Sequence, residues 1–290
     1  MRVVLHIGAT KTGSSALQAT LHDRRDELAR HGILYSAIGV AAGAHHLLAA
    51  AIHPGAWRMH QHELPEDRAA YFEDGAASIR GEAMTACAET IILSSEYFWG
   101  AFPPDFYRKV KAAFPEASFE LVAFVRQPDD WVISSYAQAV KSGESRDFST
   151  WSTDIMDRWG SGFHVFRVIN RWRTYLDAQQ THVLRYASVK GNVYAAFCER
   201  LGIDVDPHLP MKVVNPSPSA EGLAKLLEIN RSEMADEEKA AARRKVMVAH
   251  RADPSAGAGP PIASDEEREE ILRRARPSER LLERVFSVTG

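Results

Sequence analysis

The chain has 290 residues, of which 45% are hydrophobic, and a formal net charge of −3. This length and apolar content suffice for the buried core of one large α/β domain, with or without a cap. The nearly balanced charge lacks the basic surface that a nucleic-acid phosphate backbone requires, so we expect no nucleic-acid partner.

The two cysteines and the N-terminal residues indicate the compartment. Cys87 and Cys198 are far apart in the sequence and outside any Cys-x-x-Cys spacing, which excludes a disulfide framework and a thiolate zinc site. The apolar run at the N-terminus is too short for a signal-peptide core, and no later stretch is typical of a membrane span. We therefore expect a cytoplasmic protein without a transmembrane segment.

The first predicted elements are a strand and a helix joined by a glycine-containing turn. Residues 3–7 form a short apolar run rich in β-branched side chains, typical of a strand buried on both faces of a parallel sheet. Residues 14–30 carry leucines at helical spacing, and Gly32 follows as a C-cap. Residues 36–68 are irregular and predict two short helices with loops.

Strands and helices then alternate along the chain. The same patterns predict strands at residues 90–93, 121–125 and 182–186, helices at residues 71–88, 106–114, 163–176 and 192–201, and one helix beginning at Pro128. This order predicts an α/β fold, a doubly wound parallel sheet flanked by helices with right-handed crossovers.

The C-terminal part differs in composition. We predict a core over residues 1–215 and a helical C-terminal extension over residues 216–290 that packs on the same domain. In the extension, residues 220–251 are charged and helical, and residues 253–263 form a Pro/Gly/Ala-rich loop, interpreted as a flexible connector rather than a lid. Ser264 and the acidic residues after it predict the start of a final helix.

The turn after the first strand has the features of an anion site. It reads Gly8-Ala9-Thr10-Lys11-Thr12-Gly13-Ser14-Ser15. Its glycines allow close backbone approach, Lys11 supplies a cation, and the following helix N-terminus offers unpaired N–H groups. Lys11 precedes Thr12 and Gly13, whereas a nucleoside-triphosphate loop has its lysine directly after the second glycine, so this is not a triphosphate loop of the usual form.

A second candidate phosphate contact follows the strand at residues 121–125. Arg126 lies at the carboxyl end of that strand, where ligands bind in open α/β sheets, and Ser134 lies eight residues later in Arg126-Gln127-Pro128-x(5)-Ser134-x-Tyr136. A guanidinium and a hydroxyl together suit a phosphate.

These two motifs resemble those of the sulfotransferases that use 3'-phosphoadenylyl sulfate. The resemblance covers residues 1–205 and implies a P-loop-like fold. It also implies that the co-substrate is 3'-phosphoadenylyl sulfate, which becomes adenosine 3',5'-bisphosphate in the reaction. It implies that Lys11, Thr12, Gly13, Ser14 and Ser15 bind the 5'-phosphosulfate, with Lys11 beside the bridging oxygen. By the same resemblance Arg126 and Ser134 bind the 3'-phosphate.

The resemblance is greatest to bacterial enzymes that sulfate glycans and other hydroxyl compounds. It implies that the acceptor is a hydroxyl, which we expect to belong to a glycan or glycolipid, and that residues 36–68 and 97–106 are acceptor-side insertions. Five aromatic residues in or near these insertions suit either sugar stacking or core packing: Trp57, Tyr97, Phe98, Trp99 and Phe102.

Sulfuryl transfer also needs a general base, for which the resemblance implies a glutamate or a histidine. Glu96 follows the strand at residues 90–93, and His45 and His46 follow the first helix. We favour Glu96 because a strand end is geometrically constrained, while the histidines remain an alternative.

Two other functions remain open at this stage, a P-loop phosphotransferase or NTPase and a non-catalytic nucleotide-binding module. No metal is expected, because His53, His60 and His62 lack supporting carboxylate or cysteine spacing.

Overall fold

The computed structural model describes residues 1–158, 163–203, 219–250 and 262–289. Contacts divide the chain into two compact units. The first comprises Met1–Arg126, Gly160–Lys212 and Pro277–Gly290, and the second comprises Gln127–Trp159 and Val213–Arg276. The division of core from extension at residue 215 stays a prediction.

Six parallel strands form the sheet of the first unit. The strands are β1 Arg2–Ile7, β2 Ile33–Leu34, β3 Thr90–Ser95, β4 Ser118–Val125, β5 Gln180–Arg185 and β6 Val288–Thr289. Their spatial order is β2-β3-β1-β4-β5-β6, and every pairing is parallel. The predicted parallel sheet is confirmed. Strands β2 and β6 were not predicted because a two-residue strand has no periodicity to detect.

The helices alternate with these strands. In chain order they are α1 Ser14–Asp23, α2 Arg25–Arg30, α3 His46–Ile52, α4 Arg68–Thr85, α5 Pro104–Ala113, α6 Pro128–Lys141, α7 Phe148–Asp157, α8 Val165–Leu176, α9 Tyr186–Val189, α10 Val193–Leu201, α11 Ala220–Arg231, α12 Asp236–Ala249 and α13 Asp265–Val285. Short 3₁₀ helices cover Ala56–His60 and Glu96–Phe98. Among the described residues, no helix has the length and apolar character needed to cross a membrane.

Hydrophobic layers cover both faces of the sheet. Val3 and Leu5 of β1 point to one layer, which contains α3, α4, α5 and α8, and Val4 points to the other, which contains α1, α2 and α10. Successive side chains of a strand alternate between faces, so a strand covered on both sides is apolar at most positions. This explains the apolar run Val3-Val4-Leu5 of β1 and confirms the doubly wound arrangement.

Two predicted helical segments are interrupted. The segment at residues 14–30 breaks at Arg24, whose φ and ψ are −105° and 19° and whose guanidinium bonds Glu27 at 2.7 Å. The segment at residues 220–251 breaks at Ser232, which has extended backbone angles. A break of one to four residues leaves the helical periodicity on both sides intact, so the pattern alone shows a single segment.

The second unit is built from helices. Asn230 of α11 is buried, and its Nδ2 donates to the carbonyl oxygens of Val140 and Glu144, each at 2.8 Å, at the end of α6. Ser264 and Glu267 form the reciprocal bonds of a capping box at the start of α13, as predicted. The predicted loop at residues 253–263 lies outside the described residues except for its last two.

Candidate functional site

The turn between β1 and α1 has an unusual backbone. Lys11 has a φ of 66° and Gly13 has a φ of 77°, both in the left-handed region. Such a conformation is ordinary for glycine but costs about 1 kcal/mol or more for a lysine. The fold therefore holds Lys11 in a conformation that its side chain does not favour.

Hydroxyl groups inside the turn hold this shape. Thr12 Oγ1 donates to the carbonyl oxygen of Ala9 at 2.6 Å, and Ser14 Oγ donates to the same oxygen at 3.0 Å. A Cβ added at Gly8 would lie 2.8 Å from Ser14 Oγ, which explains the glycine there. Because the hydroxyls of Thr12 and Ser14 are used within the turn, any contribution that these residues make to anion binding would come from their backbone N–H groups.

The N-terminus of α1 remains available for a ligand. Gly13 is the N-cap residue, and within the described part of the chain no side chain caps this helix and its first turn contains no acidic residue. Ser15 in this turn is exposed. Unpaired N–H groups and the helix dipole at such an end favour a negative charge.

Glu96 lies on the side of the turn where β3 pairs with β1. The two strands are in register so that Ile7 pairs with Ser95, which places Glu96 beside the turn. Burial raises the pKa of the Glu96 carboxyl, and the positive charge of Lys11 partly opposes this shift. The structure therefore brings the predicted lysine and the predicted carboxylate into electrostatic contact.

The backbone around Glu96 is fixed from two directions. Ser95 Oγ accepts a hydrogen bond from the Tyr97 N–H at 3.1 Å. The indole N–H of Trp172, a completely buried residue of α8, donates to the carbonyl oxygen of Phe98 at 2.7 Å. The 3₁₀ helix that carries Glu96 is thus tied to the core.

Arg126 lies on the opposite side of the turn, at the end of β4. Its Nη1 donates to the carbonyl oxygen of Lys11 at 3.4 Å, and its guanidinium carbon lies 5.9 Å from the centre of the Tyr186 ring. Tyr186 also packs on the turn, since a Cβ added at Gly13 would lie 3.0 Å from its Cε2. Sequence reasoning placed Tyr186 at the end of a strand and missed this role, although its position at the carboxyl end of β5 was a usable signal.

Ser134 belongs to the second unit. It lies on α6, and its Oγ donates to the carbonyl oxygen of Trp131 at 3.1 Å. Its predicted contact with the 3'-phosphate stays a prediction.

The two candidate histidines differ in accessibility. His45 is completely buried, its Nδ1 accepts from the Ser94 N–H at 3.2 Å, and its pKa falls to about 4, chiefly through burial. His46 is half-buried, its Nδ1 lies 2.9 Å from Ser95 Oγ, and burial together with the charge of His60 lowers its pKa to about 4. Of the two, only His46 is partly exposed.

A buried polar cluster beneath the turn was not predicted. Ser94 Oγ lies 2.7 Å from His6 Nδ1 and accepts from Gln18 Nε2 at 3.2 Å. All three residues are buried, and burial lowers the pKa of His6 to about 3. Because β1, α1 and β3 each contribute one member, this cluster fixes the turn relative to the strand end that precedes Glu96.

Comparisons with known proteins give similar structures at low identity. A sulfotransferase from Alicyclobacillus acidocaldarius is 14% identical with a TM-score of 0.46, over 86% of this chain and 95% of that one. The sulfotransferase domain from the curacin biosynthetic pathway is 14% identical with a TM-score of 0.40, over 95% of this chain and 97% of that one. Retinol dehydratase, solved with androsterone and the inactive cofactor PAP, is 13% identical with a TM-score of 0.39, over 97% of this chain and 81% of that one.

No family model matches the chain, and no curated protein matches its sequence. We therefore base the proposed function on the residues of this site and not on these likenesses.

The described residues contain no cluster of three or more histidine, cysteine, aspartate or glutamate side chains that could hold a metal ion. At the carboxyl edge of the sheet, the structure brings together the charged groups of Lys11, Glu96 and Arg126. This set suits binding of an anion next to a proton-accepting carboxylate.

Proposed function

We propose that this protein is a sulfotransferase that moves the sulfuryl group of 3'-phosphoadenylyl sulfate to an acceptor hydroxyl. The carrying observation is the left-handed turn bearing Lys11, with Glu96 on one side and Arg126 on the other at the carboxyl edge of the sheet. Lys11 suits the leaving phosphate, Glu96 suits the attacking hydroxyl, and Arg126 suits the second phosphate of the donor.

Each residue would have a separate task. The bound donor would supply the sulfuryl group. The N–H groups at the start of α1 would bind the 5'-phosphosulfate, and Lys11 would stabilise the negative charge that develops on the leaving phosphate. Arg126 would bind the 3'-phosphate through charge-assisted hydrogen bonds.

Glu96 would accept the proton of the attacking hydroxyl. Burial raises its pKa, and a base whose pKa lies closer to the working pH is more effective in general base catalysis. His45 is completely buried, and His46 has a pKa near 4, so both are weaker candidates. We therefore propose Glu96 as the general base.

A cavity of about 350 Å³ supports a carbohydrate acceptor. It is lined in part by Trp57, Glu66, Asp67 and Arg68, and the Arg68 guanidinium lies 4.3 Å from the centre of the Trp57 ring. An aromatic ring beside carboxylates and a guanidinium suits the apolar faces and hydroxyls of a sugar. We propose a glycan or glycolipid hydroxyl as the acceptor.

Ligand-induced stabilisation tests the donor. Adenosine 3',5'-bisphosphate at about one hundred times its dissociation constant is expected to raise the free energy of unfolding by about 2.7 kcal/mol. ATP with magnesium at the same concentration is expected to have a much smaller effect. Thermal unfolding measures both, and stabilisation by ATP alone would support a phosphotransferase or NTPase instead.

The Arg126→Ala variant is expected to raise the KM for 3'-phosphoadenylyl sulfate by about 10- to 100-fold with a smaller change in kcat. Charge-assisted hydrogen bonds contribute about 1.5–3 kcal/mol, and Arg126 would contact a part of the donor that does not react. Steady-state kinetics measure the two constants, with Arg30→Ala, an exposed arginine of α2, as the control. An unchanged donor KM would contradict the assignment of Arg126.

A further inference from the structure

Tyr97 lies among three histidines that the proposed reaction has not used. Its ring centre is 4.7 Å from that of His46, 6.0 Å from that of His53 and 5.6 Å from that of His60. Tyr97 directly follows Glu96 in the 3₁₀ helix at the end of β3. The phenol therefore belongs to the same sheet edge as the proposed general base.

A chain of hydrogen bonds ends at the Tyr97 hydroxyl. Glu63 Oε2 lies 2.7 Å from His60 Nδ1, and His60 Nε2 lies 3.0 Å from Tyr97 Oη. The His60 side chain is only 13% exposed, whereas that of Glu63 is 52% exposed. The imidazole is thus held between a carboxylate and a phenol.

For a neutral imidazole, this order sets the direction of each hydrogen bond. An ionised carboxylate only accepts, so a neutral His60 carries its proton on Nδ1 and has a lone pair on Nε2. The Tyr97 hydroxyl then donates to His60 Nε2, for which the Met59 sulfur at 3.9 Å is a weaker competitor. The Tyr97 hydroxyl can then accept a further hydrogen bond on its oxygen, but its single proton is already donated to His60.

Burial and the nearby negative charges keep the Tyr97 hydroxyl protonated, so it can donate to His60. Burial raises the pKa of the Tyr97 phenol, and the negative charges of Glu96 and Glu63 raise it further. Glu96 is therefore near enough to act on the phenol, and Lys11 is near enough to act on Glu96.

We propose that Tyr97 Oη binds a second hydroxyl of the acceptor substrate, next to the hydroxyl that reacts at Glu96. The acceptor class is then a vicinal diol, as in a sugar ring, and His60 and Glu63 are positioning residues. This inference rests on the proposed sulfotransferase function.

Nuclear magnetic resonance tests the hydrogen-bond direction without any activity. In protein labelled with ¹⁵N-histidine, correlation spectra in mildly alkaline buffer are expected to show His60 protonated on Nδ1, with the His60→Gln variant identifying its signals. Glu63→Lys places a cation beside Nδ1 and is expected to move the proton to Nε2. Glu66→Lys, at an exposed neighbour, is the control. A wild-type His60 protonated on Nε2, or one that Glu63→Lys leaves unchanged, would overturn the proposal.

Kinetics test the diol. The probes are methyl glucopyranoside and its monodeoxy analogues as sulfuryl acceptors. Tyr97→Phe and Glu63→Lys are each expected to raise the KM for the glucoside by about 2- to 10-fold, while the KM of the analogue lacking the second hydroxyl stays the same. Tyr175→Phe, a half-buried tyrosine of α8, is the control. Equal effects on diol and deoxy analogues would overturn the proposed contact.

The two proposals fail in different ways. Absence of sulfuryl transfer to every acceptor, together with no stabilisation by adenosine 3',5'-bisphosphate, would count against the sulfotransferase function. The diol proposal would fall with it, although the state of His60 would still be decided by the spectra.

Discussion

We expect Lys11→Ala to lower kcat by about 100- to 1,000-fold while changing the KM for 3'-phosphoadenylyl sulfate much less. The expected size is that of removing one positioned group that stabilises developing charge in the transition state. In the proposed reaction the lysine acts mainly when the leaving phosphate gains charge. Its removal is therefore expected to lower kcat rather than raise the KM. Steady-state kinetics with varied donor measure both constants.

A second substitution separates the charge of Lys11 from its backbone conformation. Lys11 has a φ of 66°, which strains the backbone of any residue that has a Cβ. Alanine at this position keeps that strain, whereas glycine relieves it. Lys11→Gly is expected to lose as much turnover as Lys11→Ala, because both lack the cation. Lys111→Ala, an exposed lysine of α5, is the control. Recovery of turnover in Lys11→Gly would show that the backbone of the turn matters more than the charge.

We expect Glu96→Gln to lower kcat/KM by about 100- to 10,000-fold. Glutamine keeps the size of the side chain but cannot take a proton, and general base catalysis contributes about this much. The variant is expected to retain stabilisation by adenosine 3',5'-bisphosphate, because Glu96 would not touch the nucleotide. Glu89→Gln, an exposed residue just before the opposite end of β3, is the control. Full activity of Glu96→Gln would leave His46 as the remaining candidate base.

The pH dependence of sulfuryl transfer by the wild-type protein gives an independent test of Glu96. Burial raises the pKa of its carboxyl above the ordinary 4.5. Since only the ionised form accepts a proton, kcat/KM is expected to fall as the pH drops through this raised pKa. Lys11 lowers the same pKa, so the residual activity of Lys11→Ala is expected to fall at a higher pH than that of the wild type. A fall at the ordinary glutamate pKa in both proteins would contradict this role.

Much of the fold follows from local patterns in the sequence. The apolar runs at residues 3–7 and 121–125 predicted buried parallel strands, and the glycines of the first turn together with Lys11 predicted an anion site at a helix start. The positions after strand ends predicted Glu96 and Arg126 at one sheet edge, because parallel strands end on the same side. These features depend on neighbouring residues only.

The details of the site depend on residues that are distant in the sequence. Ser94 meets His6 across 88 positions, Tyr186 packs on Gly13, and His60 reaches Tyr97 across 37 positions. No spacing rule connects such pairs, because the crossover helices and the register of the sheet bring them together. The same holds in part for the general base: the strand-end position favoured Glu96 over the histidines, but only the tertiary structure showed that His45 is completely buried.

The sequence by itself determined the parallel α/β architecture and the position of the turn that bears Lys11, since apolar periodicity and glycine placement are local properties. Only the tertiary structure decided which charges act on one another and which are accessible. It buried His45 completely, left Glu96 in contact with the charge of Lys11, and directed the hydroxyl of Tyr97 toward His60. Burial and electrostatic interaction depend on distances in space, and the packing of the sheet and its helices sets those distances.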